Sequence, residues 1–558
     1  MRIPAVPVPA DPGRSRLALL SLLALAAATN PLAGQSVPEV SGGPLLPEQA
    51  AYDVRFYELS LTVDPADSTI DGSNVIHADV VAPLTSFVFD LDTVFTIGAV
   101  ALGDGDALPF ERRGGQVWAT LPREYAVGER LAVAVAYGGH PRSVRVGGFD
   151  GFIWARTADG HPWVTVSCEL FGADLWWPTK DHLSDEPDSM ALHIRVPEPL
   201  FVAANGRLRG SFRDPGGWVT YDWFVSTPIN NYGVSLNIAP YREIATPYPS
   251  LSGDSIPVTF WVLPENLAKA RQAFPAFLDH LRHLEEVAGP YPFRADKYGI
   301  AETPYLGMEH QTIIAYGAGY RNDAMAGIDW GFDGLHQHEL AHEWFGNQLT
   351  PPEWADLWLN EGFAQYAQPL YAESRIGEAK AAQLLGLYRR FVTNRQPVAP
   401  RAVLNSRQAY NNDIYFKGAL VLHTLRYLVG DDGFFEIVRR WTAPDAPGAT
   451  GSCGCRPVTT DEFVALAGEV AGTDLAWFFE VYLRQAALPR LIAERGGGTL
   501  ELRWEVPGGL PFPMPIDVRV AGATRRVEMP GGVAHLPVAA NVDVAIDPRA
   551  AVLRAAAP

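Results

Sequence analysis

From about residue 46 the chain alternates apolar and polar positions. Tyr57, Leu59, Leu61 and Val63 are separated by Glu58, Ser60 and Thr62, and Phe87, Phe89 and Leu91 repeat the arrangement. A period of two puts one set of side chains on a single sheet face. Short runs of this kind, punctuated by Gly and Pro, continue to about residue 240 and predict an all-β domain over 46–246. The stretch PYPSLSGDS, residues 247–255, reads as a junction. The period then lengthens. ENLAKARQAFPAFLDHLRHLEEVAG, residues 265–289, has helical spacing, and helical patterns dominate from about 332 to 485. From about 498 the two-residue period returns in Leu500, Leu502, Trp504 and Val506, and again in Ile516, Val518 and Val520. The pattern predicts a multidomain α+β chain whose helical part spans 247–490 and whose residues 491–558 form a small β-sandwich.

Composition bounds this picture without changing it. A chain of 558 residues with 47% hydrophobic and 19% charged content builds several cores and is neither disordered nor a coiled coil. A net charge of -19 argues against a nucleic-acid or anionic-membrane partner. The N-terminus adds a location. Arg14 and Arg16 precede the apolar run LALLSLLALAAA (17–28), and small residues follow in PLAGQS (31–36). This order predicts a secretory signal peptide over 1–34, and the run is too short to favour a membrane anchor. No other stretch is long and apolar enough to span a bilayer, so a soluble, exported protein is expected, periplasmic or extracellular. Of the three cysteines, Cys453 and Cys455 flank one glycine in a Gly-rich loop, where a local or unpaired thiol is expected, and Cys168 stands alone.

The candidate chemistry lies in HQHELAHEWFGN, residues 336–347. His338 and His342 are four apart, so on a helix both imidazoles face one ion. Glu339 lies beside them, where a general base acting on a metal-activated water belongs. Chance supplies roughly 0.02 such HExxH patterns in a chain of this composition. A catalytic zinc needs a third protein ligand and an open position. Pro351 and Pro352 are expected to end the first helix, and a second helical pattern begins near Leu357 with Glu361 in its first turns. Antiparallel packing of the two helices would bring Glu361 to the histidines. Two imidazoles and a carboxylate, with no thiolate, suit one Zn²⁺ per chain.

HExxH followed eighteen residues later by the Glu of WLNEG resembles the M1 family of zinc aminopeptidases, the gluzincins that include aminopeptidase N and leukotriene A4 hydrolase. LGMEH, residues 306–310, is similar to the family's Gly-Ala-Met-Glu-Asn segment, departing from it at Leu306 and His310. By that match Glu309 binds the substrate's α-amine, and Gly307 and Met308 line the peptide. NNDIYFKGALVLH, residues 411–423, is similar to the family's Tyr-x-Lys-Gly-Ala segment and implies Tyr415 as the phenol stabilising the transition state, with Tyr410 as its neighbour. SCELFGADLWWPTKDHLSDEPDS, residues 167–189, places Glu169 nine residues before Pro178, with Asp181 following, and implies a second amine-binding carboxylate. The resemblance implies a β-saddle domain, a thermolysin-like α/β catalytic domain and a β-sandwich. It implies a hydrolase acting on the first bond of peptides with a free N-terminus. An endopeptidase, an epoxide hydrolase and a catalytically silent peptide-binding protein are the competing readings. Glu169 and Glu309 weigh against the first; intact His338, Glu339, His342, Glu361 and Tyr415 weigh against the last. No motif addresses oligomeric state.

Overall fold

A computed structural model describes residues 40–103, 105–144, 150–539 and 541–556. The expected signal segment, residues 1–34, lies outside the described residues.

The alternating N-terminal positions form strands. In a seven-stranded sheet, Tyr52–Asp64 pairs antiparallel with Thr69–Val80 and parallel with Ser189–Pro197. Tyr57, Leu59, Leu61 and Val63 point inward from it and are buried. A three-stranded sheet carries buried Phe87 and Phe89 on strand Leu84–Asp90. A five-stranded sheet contains the hairpin Asp150–Arg156 and Pro162–Ser167, whose exit leads to Glu169. One continuous hydrophobic core unites these sheets and reaches Trp261, Leu263, Ala301 and Ile313 of the next layer.

That next layer is a second five-stranded sheet, in spatial order Arg242–Pro249, Ser255–Val262, Tyr298–Glu302, Ile314–Tyr316 and Gly307–Met308. The stretch 247–255, expected to be a junction, is instead the end of a hairpin within this sheet, with Tyr248 opposite Ile256. The alternation in REIATPYP continues across the apparent break and carries the strand through it. Lys297 fastens the sheet to the N-terminal region by donating to the carbonyls of Ala204 (2.8 Å) and Gly206 (2.6 Å).

Helices cover this sheet. Leu267–Ala288 follows its predicted span and stops at Gly289, whose φ of 90° no helix can continue. Three more frame the site: a histidine helix (Gly334–Ala341), a glutamate helix (Trp358–Arg375) and a tyrosine helix (Asn412–Trp441). The histidine helix ends at His342, well before Pro351 and Pro352, which were expected to end it. The chain turns early because Asn347 N–H closes onto the His342 carbonyl at 2.9 Å and Gly346 adopts φ 137°. Two three-stranded sheets, around Thr499–Glu505 and Ile516–Val520, close the chain, with Leu500, Leu502, Trp504, Ile516 and Val518 buried in a core shared with the helices. Cys453 and Cys455 form a disulfide, and Cys168 is free and buried.

Candidate active site

The histidine helix is held at both ends. Asp333 caps its start by accepting from His336 N–H at 3.0 Å. Near its end, Glu343 accepts from Thr312 N–H at 2.8 Å, which ties the helix to the chain following Glu309. His338 and His342 project from one face, their Nε2 atoms 3.2 Å apart. The Nδ1 of His342 lies 3.0 Å from the Phe345 carbonyl, and His338 donates to the Ala364 backbone. Each contact fixes a ring and leaves Nε2 directed at the same point. Burial pushes His338 down to about 4, so its ring is neutral at pH 7, as a ligand must be.

Glu361 completes the cluster from the first turn of the glutamate helix. Its Oε2 lies 3.3 Å from His338 Nε2 and 3.6 Å from His342 Nε2, and this buried oxygen accepts no hydrogen bond. The three ligand atoms lie within 4.8 Å of one another. An orphaned buried carboxylate oxygen facing two imidazoles costs free energy unless a cation joins them. Two nitrogens and one carboxylate fit zinc with a position left open.

A pair of glycines brings Tyr415 to this cluster. Gly362, next to Glu361, and Gly418, one turn beyond Tyr415, meet where the glutamate and tyrosine helices cross. A Cβ on Gly362 would lie 3.2 Å from Gly418 backbone atoms, and one on Gly418 would lie 3.0 Å from the Gly362 Cα. The helices therefore touch backbone to backbone, and the Tyr415 hydroxyl bonds the Glu361 carboxylate. Lys417 faces away and donates to the carbonyls of Gln485 and Ala486, so the lysine of YFKGA anchors the helix.

The short strand Gly307–Met308 runs past the histidine helix, and a Cβ at Gly307 would collide with the Glu339 carboxylate. That explains the glycine: only there can the backbone approach the candidate base so closely. Glu309 follows, its carbonyl held by Asn347 Nδ2 at 2.9 Å and its buried Oε1 without a partner. Glu169 enters from the N-terminal region, with Oε1 likewise unpartnered and the Tyr410 phenol in the same cavity wall. The turn carrying Glu169 is braced by Asp181, which accepts from Ala173 N–H at 3.1 Å. Glu169, Glu309 and Glu361 offer oxygens within 4.8 Å of one another, as do Glu309 and Glu339 with His342.

Most of these groups line a cavity whose described walls hold five carboxylates and no Lys or Arg. Burial first, then the charges of Glu309 and Glu361, pushes Glu169 and Glu339 well above the carboxylate range. Burial also raises Glu361 to about 8, with Glu309 adding to the rise and His342 opposing it. Such a site is starved of positive charge. A divalent cation and an ammonium group would both return these carboxylates to their charged forms.

The structure thus places His338, Glu339, Glu361, Tyr415, Glu309, Glu169, Gly307 and Met308 around one cavity, and His342 joins them through its cluster with His338 and Glu361. Sequence reasoning passed over Asn347, Gly362 and Gly418. A glycine inside each of two helical patterns was the signal available for the last two.

Residues 291–482 match the family model described as the Peptidase family M1 domain. Endoplasmic reticulum aminopeptidase 1 of Homo sapiens is 24% identical over 344 residues, 58% of this chain and 35% of that protein. Aminopeptidase B of Rattus norvegicus is 24% identical over 347 residues, 59% of this chain and 50% of that protein. The aligned region thus spans half or less of either relative's length. Among solved structures, an M1 zinc metallopeptidase mutant from Deinococcus radiodurans, bound to a Tyr-Ser-Ala substrate, matches with a TM-score of 0.64 and 25% identity, covering 78% of this chain and 95% of that one. The matched residues 291–482 carry the histidine pair, Glu361 and Tyr415.

Proposed function

We propose that this chain is a zinc aminopeptidase, hydrolysing the N-terminal peptide bond of peptides whose α-amine is free. His338, His342 and Glu361 would hold one zinc. When bound, zinc supplies the Lewis acidity that makes a water nucleophilic near neutral pH. Glu339 accepts that water's proton as it attacks the scissile carbonyl and passes it to the departing nitrogen. The Tyr415 hydroxyl donates to the oxyanion that develops on the carbonyl carbon's substituent oxygen. Glu169 and Glu309 receive the α-ammonium and set the distance from amine to reacting carbonyl at one residue. The observation that carries this reading is the convergence of those two unpartnered carboxylates on Glu361. An internal peptide bond brings no ammonium and would leave both buried and unpaired.

The amine-anchoring role predicts that Glu309→Ala raises KM and lowers kcat together on aminoacyl-amides while zinc content stays at one per chain. Steady-state kinetics with metal analysis checks this; an unchanged kcat/KM would remove Glu309 from the mechanism.

We also propose that the protein is exported, on the strength of the basic, apolar and small-residue order over residues 14–36. The Cys453–Cys455 disulfide suits an oxidising compartment. No helix among the described residues is long and apolar enough to cross a membrane.

A further inference from the structure

Glu361 rides a helix and Glu309 follows a paired strand, but Glu169 sits on a turn between strand Pro162–Ser167 and the helical turn Ala173–Leu175. Oxygens of the three carboxylates lie within 4.8 Å of one another. When charged they repel, and the turn has the least regular structure to resist that push. Residues 40–43 brace it from outside. Ser41 N–H donates to the Leu170 carbonyl at 3.2 Å, and the Ser41 carbonyl accepts from Ser406 N–H at 2.9 Å. Ser406 Oγ donates to that same Leu170 carbonyl, so three distant stretches of chain meet one residue from Glu169. Gly42 bridges to Asn405, and the Gly43 carbonyl lies 3.1 Å from His182 Nε2. Val40 and Tyr410 both pack on the small cluster of Leu170, Phe171 and Leu175.

The other side of this seam belongs to the helical region. Asn405 caps the short helix Ser406–Ala409, which leads to Tyr410 and to Asn411, the cap of the tyrosine helix. Tyr410 and Tyr415 share the acidic cavity's wall with Glu169. Ser41 and Ser406 are buried, and Gly42, with φ 79°, lies so close to Trp354 that a Cβ would come within 2.2 Å of the indole ring. Only glycine fits that seat. We propose that residues 40–43 are a strap that positions Glu169, stitching its turn to the stretch that carries Tyr410 and Tyr415. The strap thereby fixes the amine anchor at its distance from Glu361. None of the four residues lines the described walls of the acidic cavity, so the strap acts through the turn. The inference rests on the aminopeptidase reading for what Glu169 binds.

The test compares the zinc-loaded full chain with its Gly42→Val variant, whose side chain must leave Trp354 and lift the segment from its seat. Hydrogen–deuterium exchange is read over residues 168–172, where Gly172 N–H donates to the Cys168 carbonyl at 2.9 Å. Protection there is expected to fall by roughly tenfold in the variant, while that of the histidine helix holds. On leucinamide, kcat/KM is expected to fall by roughly tenfold as the anchor shifts. The same substitution in a Glu169→Gln chain is expected to change kcat/KM less than about twofold, because the group it positions is already gone. Ser41→Pro, which removes the N–H given to Leu170, is expected to move both readings the same way and serves where Gly42→Val fails to fold. Unchanged protection of the turn, or a loss that multiplies in full with that of Glu169→Gln, overturns the strap. Lost protection in the variant, with no hydrolysis of any free-amine substrate by the unmodified chain, supports the strap and overturns the aminopeptidase reading instead.

Discussion

Two cavities meet at His338 and Tyr415, the acidic one and an apolar one walled by Trp330, Leu384, Leu387, Tyr388, Phe391 and Phe416, and they are built on opposite principles. The acidic one concentrates five carboxylates where water is scarce, so each pays a desolvation cost until a cation arrives. Its energy is electrostatic and its demands are positional: a zinc here, an ammonium there. The apolar one holds no charge, and its contribution scales with the area it covers. A single misplaced group ruins the first, whereas the second degrades gradually as its walls are trimmed. The difference teaches where large and small effects should fall. Removing a charged partner leaves a buried orphan, while removing a methylene loses only its own contacts.

The largest effect is expected on the acidic side. Glu339→Gln keeps the side chain's shape but cannot take a proton, and kcat should fall by roughly 10³-fold or more. Zinc content, read by metal analysis, should stay unchanged, because Glu339 belongs to no ligand position of the His338, His342 and Glu361 set. Next comes Tyr415→Phe, which deletes one hydroxyl donor; a loss of roughly 10² to 10³-fold in kcat with little change in KM is expected from steady-state kinetics. A smaller effect, but on folding as well, is expected where the helices touch. Gly418→Val inserts a branched side chain against the Gly362 backbone and should cost about 1–3 kcal/mol of stability in a denaturant titration. It should also lower activity by parting Tyr415 from Glu361. A Gly418→Val protein of full stability would show that backbone contact between the helices is dispensable.

The same contrast governs what could be read from the sequence. The acidic cavity was legible because its parts sit at fixed offsets within single elements. His338 and His342 share a helix face whatever surrounds them, and Glu361 opens the helix that follows. Glu309 and Glu169 became readable through the resemblance of LGMEH and SCELFGADLWWP to family segments. The two-residue periods likewise marked Tyr57, Leu59, Leu500 and Leu502 as inward-facing, and all four are buried.

What was not legible depends on contacts between distant segments. Gly362 and Gly418 matter only because two helices cross there, 56 residues apart in sequence by their numbers. The early end of the histidine helix follows from the Gly346 backbone and the Asn347 contact, whereas Pro351 and Pro352 offered the louder signal. The hairpin at 247–255 hid behind proline and glycine that suggested a break, yet its strands pair in register across it. The apolar cavity carries no motif at all. Trp330, Leu387 and Phe416 are ordinary core residues until tertiary packing leaves a space between them.

The central claim is that the acidic cavity reads a free amine beside a zinc. It is tested most directly by presenting the purified chain with aminoacyl-amide chromogenic substrates and their N-acetylated counterparts, with and without a zinc chelator. The account predicts hydrolysis confined to the free-amine substrates, abolished by the chelator and restored by added zinc. Equal cleavage of acetylated and free-amine substrates would contradict it.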